Sequence, residues 1–203
     1  MNTQIFRTIS RYLSPLQWWL MTFALYALSQ VTLHWLDSWY AASQFPVPFF
    51  EGQTTFNAEH YKSYLAVMED KGTLGTFFTT QIIDYAYLIT IALSFGALAI
   101  AIFRSLPNIR WLKTTAKILG IISVQAATFD ALENAVSFIF IANPQDFADW
   151  LIYPYSSFAV AKFACYVVTY FWAPIAVIII LGHRIYRYVK PTLPAQPQSS
   201  TPV

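Results

Sequence analysis

The chain has 203 residues, of which 57% are hydrophobic and only 11% charged, with a formal net charge of +2. A soluble domain carries about 25% charged residues, so this balance excludes an ordinary water-soluble globule and marks an integral membrane protein. The small positive charge conceals a division between two faces, described below, that leaves nucleic-acid binding without support.

Four apolar segments are long enough to cross a hydrocarbon layer of about 30 Å at about 1.5 Å rise per residue. They run from about Leu16 to Leu36, Phe77 to Phe103, Thr115 to Ile141 and Phe158 to Leu181. Arg7 and Arg11 precede the first, Arg104, Arg110, Lys113 and Lys117 join the second to the third, and Arg184, Arg187 and Lys190 follow the fourth. The opposite loops hold Asp37, Glu51, Glu59, Glu69, Asp70, Asp146 and Asp149 against Lys62 and Lys71. The positive-inside rule then puts both termini in the cytoplasm. The first segment is too long for the apolar part of a cleaved signal and is read as a retained helix.

Between the first two spans, Pro46 and Pro48 interrupt helix, whereas Ala58 to Glu69 is amphipathic and Gly72 and Gly75 can end it. Two readings stand for this segment: an interfacial helix covering the bundle mouth, or a lid carrying His60 and Tyr64. Tyr and Trp residues in NPQDFADWLIYPYSS read as headgroup anchors on the same side. The sole cysteine, Cys165, falls within the fourth span, so no intramolecular disulfide forms. Residues 191–203, rich in Pro, Gln, Ser and Thr, read as a flexible cytoplasmic tail after a single membrane domain of residues 1–190. The expected fold is all-α: an integral membrane four-helix bundle with an additional extracytoplasmic amphipathic helix.

Asp130, Glu133 and Asn134 lie within ATFDALENAVSFIFIA, where an ionisable group costs several kcal/mol unless it is paired, protonated or wet. Spacings of three and four put them on one helix face. Asp84 lies about 10 Å below the start of the second span, and Lys162 enters the fourth from the same side, so three acids and one lysine share a depth in the outer half. Helical phase aligns Thr80, Asp84, Tyr87, Ile91 and Ser94 on the second span. It aligns Ser123, Ala127, Asp130, Asn134 and Ser137 on the third, and Lys162, Cys165, Tyr166 and Thr169 on the fourth. The first offers Tyr26, Gln30, His34 and Asp37, and Ala127 and Ala131 suit close helix approach. Lys162 is expected to pair with Asp84 or with Asp130 and Glu133, the alternative being a lysine that snorkels to the headgroups.

Three chemistries fit this inventory. Paired carboxyls, Asp84, Asp130 and Glu133, could donate and accept a proton on an apolar substrate, which makes them the candidate catalytic groups. A non-catalytic pocket would bind or transport a membrane lipid or small amphipathic ligand, with Tyr87, Asn134, Lys162, Tyr166, His34 and His60 as candidate ligand contacts. A structural polar lock, as in an accessory subunit held against another membrane protein, needs no ligand. No HExxH or His-rich pattern supports a metal site, and no phosphate-binding glycine loop, haem motif or serine-nucleophile signature calls for a cofactor.

The segments YKSYLAVMEDKGTLGTFFTTQIIDYAYLITIALSF, TFDALENAVSFIF and SSFAVAKFACYV resemble a bacterial family of small four-span membrane proteins with an intramembrane Asp-x-x-Glu-Asn motif and no assigned biochemical role. The pattern falls on Asp84, Tyr87, Asp130, Glu133, Asn134 and Lys162, and the resemblance implies a bacterial inner-membrane protein. Gly72-Thr73-Leu74-Gly75 stands where the family pattern implies a Gly-x-x-Gly-Arg turn. A more remote, architectural resemblance is to the sterol-isomerase-like membrane fold, which implies an apolar pocket with acidic residues and a membrane isomerase acting on a lipid.

Overall fold

The structure is a computed structural model that describes residues 12–190. Arg7, Arg11 and the tail assigned to 191–203 lie outside the described residues. Among the described residues there are six helices: α1 (Pro15–Ser43), α2 (Phe49–Gln53), α3 (Ala58–Asp70), α4 (Leu74–Ser105), α5 (Arg110–Ala142) and α6 (Ile152–Val189), with a 3-10 turn at Asp149–Leu151 before the last.

Local chemistry sets the boundaries. Ser14 caps α1 through a reciprocal bond pair, its Oγ accepting from the Gln17 backbone and its own N–H donating to Gln17 Oε1, with Pro15 at the first helical position. Asn57 caps α3 by accepting from the His60 N–H. Gly72, at φ +69°, takes the left-handed conformation that turns the chain out of α3. The α3 range of 58–70 agrees with the amphipathic helix expected at 58–69. Helix α4 ends at Ser105, because Pro107 holds Leu106 in extended backbone.

Helices α4 and α5, and the last helix with its preceding turn (Asp149–Val189), are long and apolar enough to cross a membrane. Each extends beyond the expected span because helix continues into the flanking polar residues. The α1 segment forms a helix of 29 residues, but it is not among those three. Gln17, Ser29, Gln30, Thr32, His34, Asp37 and Ser38 dilute its apolar content.

Neighbouring long helices run antiparallel. Along α1 and α4, Trp19 Nε1 donates to Ser105 Oγ at 3.0 Å, the Thr32 and Thr90 hydroxyls meet at 2.9 Å, and the Tyr40 and Phe77 rings lie 6.4 Å apart. One residue number rises as the other falls. The same test pairs α4 with α5 through Gln81–Ser137 and Asp84–Asn134, and α5 with α6 through Asp130–Lys162 and Ser123–Thr169. The packing order is therefore α1, α4, α5, α6. Helix α1 has extensive contact only with α4, so the ring is not closed between α1 and α6.

Two apolar clusters cap the ends. Tyr61, Leu65 and Met68 of α3 are wholly buried against Phe77, Phe140, Phe147 and Tyr155. At the other end Ile102, Leu106, Ala116, Ala176 and Ile180 pack together. Between them lies a polar layer.

Candidate functional site

The polar layer is built at one level because its residues are equally far from the α3 end of their helices. Asp84 is about 15 Å along α4 from Leu74, and Lys162 is about 15 Å along α6 from Ile152. Glu133 and Asp130 are about 14 and 18 Å from the end of α5. Apolar turns of every helix face outward or into the two end clusters, so the polar faces have only one another.

Lys162 bridges two carboxylates. Its Nζ donates to Asp130 Oδ1 at 2.7 Å and lies 2.7 Å from Glu133 Oε2. All three residues are buried, Lys162 at 3% exposure and Glu133 at 0%. The ammonium also lies 5.2 Å from the Phe163 ring centroid. Lys162 therefore does not snorkel; its stem is short of the helix end, and two acids lie within reach. A buried pair survives when geometry and extra hydrogen bonds offset desolvation, and here one cation serves two anions.

Asp84 is handled differently. Its Oδ2 accepts from Asn134 Nδ2 at 2.7 Å, a neutral donor, and it lines a cavity. Below and above it, Ser137 Oγ donates to Gln81 Oε1 at 3.0 Å and Thr169 Oγ1 to Ser123 Oγ at 2.8 Å. These bonds tie α4, α5 and α6 together around the ion cluster.

The cavity holds about 350 Å3 and lies between α1, α4 and α6. Its floor carries Thr80, Gln81, Asp84, Asp130 and Lys162. Leu33, Leu36, Asp37 and Tyr40 form the α1 wall, and Phe163, Tyr166 and Tyr170 the α6 wall, with Tyr87 between. Phe49 and Gln53 of α2 complete it, and Phe49 packs on Phe163 at 6.4 Å. The Tyr166 hydroxyl faces Tyr87 without good hydrogen-bond geometry, and Gln53 Oε1 is likewise buried without a partner.

Of the residues singled out from sequence, Asp84, Tyr87, Asp130, Lys162 and Tyr166 meet at the cavity, while Glu133 and Asn134 stand behind its wall as partners of Lys162 and Asp84. His34 and His60 do not join them; both are exposed. The phase expected for the first helix, Tyr26, Gln30, His34 and Asp37, is corrected: only Asp37 lines the cavity, and the inward face carries Trp18, Thr22, Ser29 and Tyr40. Small hydroxyl residues at Ser29 and Thr32 let α1 approach Thr90 closely, and that contact sets its rotation. Helices α4 and α5 approach closely at Gly120, where an added Cβ would meet Ala99 Cβ at 2.6 Å, and the Tyr85 hydroxyl donates to the Ala131 carbonyl at 3.0 Å.

Tyr61 belongs to a separate layer. Its hydroxyl meets that of Tyr155 at 3.0 Å, and burial pushes its phenol up in pKa. Sequence reading missed Gln81, Phe49, Gln53, Tyr40, Phe163 and Tyr170. Gln81 was visible, three residues before Asp84 on the same helix, whereas the α2 pair has no periodic signal.

Fold and site together define an α-helical bundle with three helices able to cross a membrane and a buried ion cluster beside an aromatic cavity. No protein-family model, curated protein or solved structure matches this chain.

Proposed function

We propose that the cavity binds a small lipid-like or amphipathic molecule, its polar end at Asp84, Asp130 and Lys162 and its apolar body along the aromatic walls. One observation carries the reading: a partly enclosed cavity of about 350 Å3 has convergent charges on its floor, and the helix ring beside it is left open between α1 and α6. Binding sites for small molecules are mostly apolar concavities of about 300–1,000 Å3 with a few oriented polar groups. An opening between two long helices faces the hydrocarbon, which is where an amphiphile is concentrated.

The reading includes α1 as a fourth span. At 29 residues it is about 44 Å long and follows α4 along its length, so a membrane crossed by α4 encloses α1 too. The basic loop between α4 and α5 and the acidic loops at the other end orient both termini to the cytoplasm and the cavity to the outer half of a bacterial inner membrane. Within the cluster the roles divide: Lys162 with Asp130 and Glu133 holds α5 to α6, and Asp84 is the carboxylate with capacity to receive a ligand.

The test is native mass spectrometry of the full chain extracted in lipid nanodiscs. Wild type should retain one small amphiphile that survives removal of bulk lipid, and Leu33→Trp, which fills the α1 wall, should lose it while folding normally. Equal retention of ordinary annular lipid by both proteins, with no further bound species, would overturn the proposal.

A further inference from the structure

The groups facing the cavity are unbalanced in charge. Asp37, Asp84 and Asp130 line it against a single lysine, Lys162, and that lysine is already shared by Asp130 and Glu133 at 2.7 Å each. Asp84 has only the Asn134 amide on Oδ2. The cavity thus presents one carboxyl group, Asp84, that no salt bridge pairs, beside a lysine already shared by two other acids.

Two classes of occupant could pair with that carboxyl group, a metal ion or an organic cation. Among the described residues no three carboxylate, histidine or cysteine groups converge closely enough to hold a metal ion. The remaining wall is aromatic: Tyr40, Phe49, Tyr87, Phe163, Tyr166 and Tyr170. Ring faces attract an ammonium or alkylammonium group, the more so out of water, and they solvate an attached hydrocarbon equally well. The volume, equal to that of about a dozen waters, suits a short amphiphile and not a whole phospholipid.

We infer that the ligand class is a hydrophobic amine bound in its protonated form, with its ammonium donating to Asp84 beside the aromatic wall and its apolar body between α1 and α6. This rests on the reading of the cavity as a binding site. An anionic amphiphile would set its head against the Asp84 carboxyl group while the one lysine is already bridged to Asp130 and Glu133, and a neutral alcohol would bring no charge to pair with Asp84.

The experiment is equilibrium binding of radiolabelled decylamine, decanol and decanoate to the full chain in nanodiscs of neutral lipid, with protein-free nanodiscs subtracted. Decylamine should bind saturably and about tenfold or more tighter than decanol, with decanoate weakest. Asp84→Asn should abolish most of the amine's advantage over decanol. If that variant does not fold, the order of the three probes on wild type decides the matter. Equal amine and alcohol affinity, or a preference for decanoate, would overturn the amine assignment while leaving a binding pocket in place. Absence of saturable binding by all three would overturn both.

Discussion

Lys162 is the residue on which the polar layer depends most. Without it, Asp130 and Glu133 would be buried side by side with no cation, and breaking a buried ion pair from one side typically costs about 3–5 kcal/mol. Lys162→Met should therefore destabilise the protein by roughly that amount in denaturant unfolding followed in detergent micelles. Combining it with Asp130→Asn and Glu133→Gln should recover much of the loss, since no uncompensated charge remains; an additive further loss would count against the pairing. The three partners were legible in DALEN and in a lysine at the same depth of the fourth span. Which acid Lys162 serves was not, because sequence spacing fixes rotation and depth only to within a turn. Phe56 presents a different case: at φ 48° a non-glycine residue carries strain of about 1–2 kcal/mol, and the residue is 42% exposed. Phe56→Gly should leave thermal stability unchanged or slightly raised, and a clear loss would mean that the ring packs more strongly than its exposure implies.

At the scale of elements, α3 is a plug. Its buried face of Tyr61, Leu65 and Met68 joins the aromatic cluster of Phe77, Phe140, Phe147 and Tyr155, while His60 on the opposite face is exposed. Of the two readings of this segment, the geometry favours the cover over a lid built on His60 and Tyr64, and the group beside the cavity is the one-turn α2. Tyr61→Phe leaves the Tyr155 hydroxyl buried without its partner, so it should cost about 1–3 kcal/mol in the same unfolding assay. No loss at all would imply that water reaches this layer. The α4–α5 contact is set by a missing side chain: a Cβ at Gly120 would lie 2.6 Å from Ala99 Cβ. Gly120→Val should cost about 1–3 kcal/mol by forcing the helices apart, and Ala99→Gly in the same chain should restore part of it. Failure of that rescue would place the strain elsewhere.

For the whole molecule, the open order α1, α4, α5, α6 is what creates a cavity beside a buried ion cluster. The same helices closed into a ring would bury the cluster without leaving a site. The proposed topology gives a direct check: cysteines introduced one at a time near Glu51 and Asp146 should react with an impermeant reagent added from outside, and one near Asn108 should not. Outside labelling at Asn108 would reverse or break the four-span arrangement.

The sequence by itself determined that the chain is helical, that much of it belongs in a membrane, and that a few ionisable residues share one depth. Hydrophobic content, helical period and rise per residue carry that information locally, so Thr80, Asp84 and Tyr87 on α4 and Asp130 and Asn134 on α5 emerged on their inward faces. Only the tertiary structure decided the rotation of α1, where polar His34 and Gln30 face outward and small Ser29 and Thr32 face α4. It also decided the division of the acids between Lys162 and Asn134, and the enclosure of the cavity by Phe49 and Gln53 from a helix too short to show a period. Those outcomes depend on which surfaces fit at close range, and steric fit between distant segments leaves no mark in the spacing of residues along one helix.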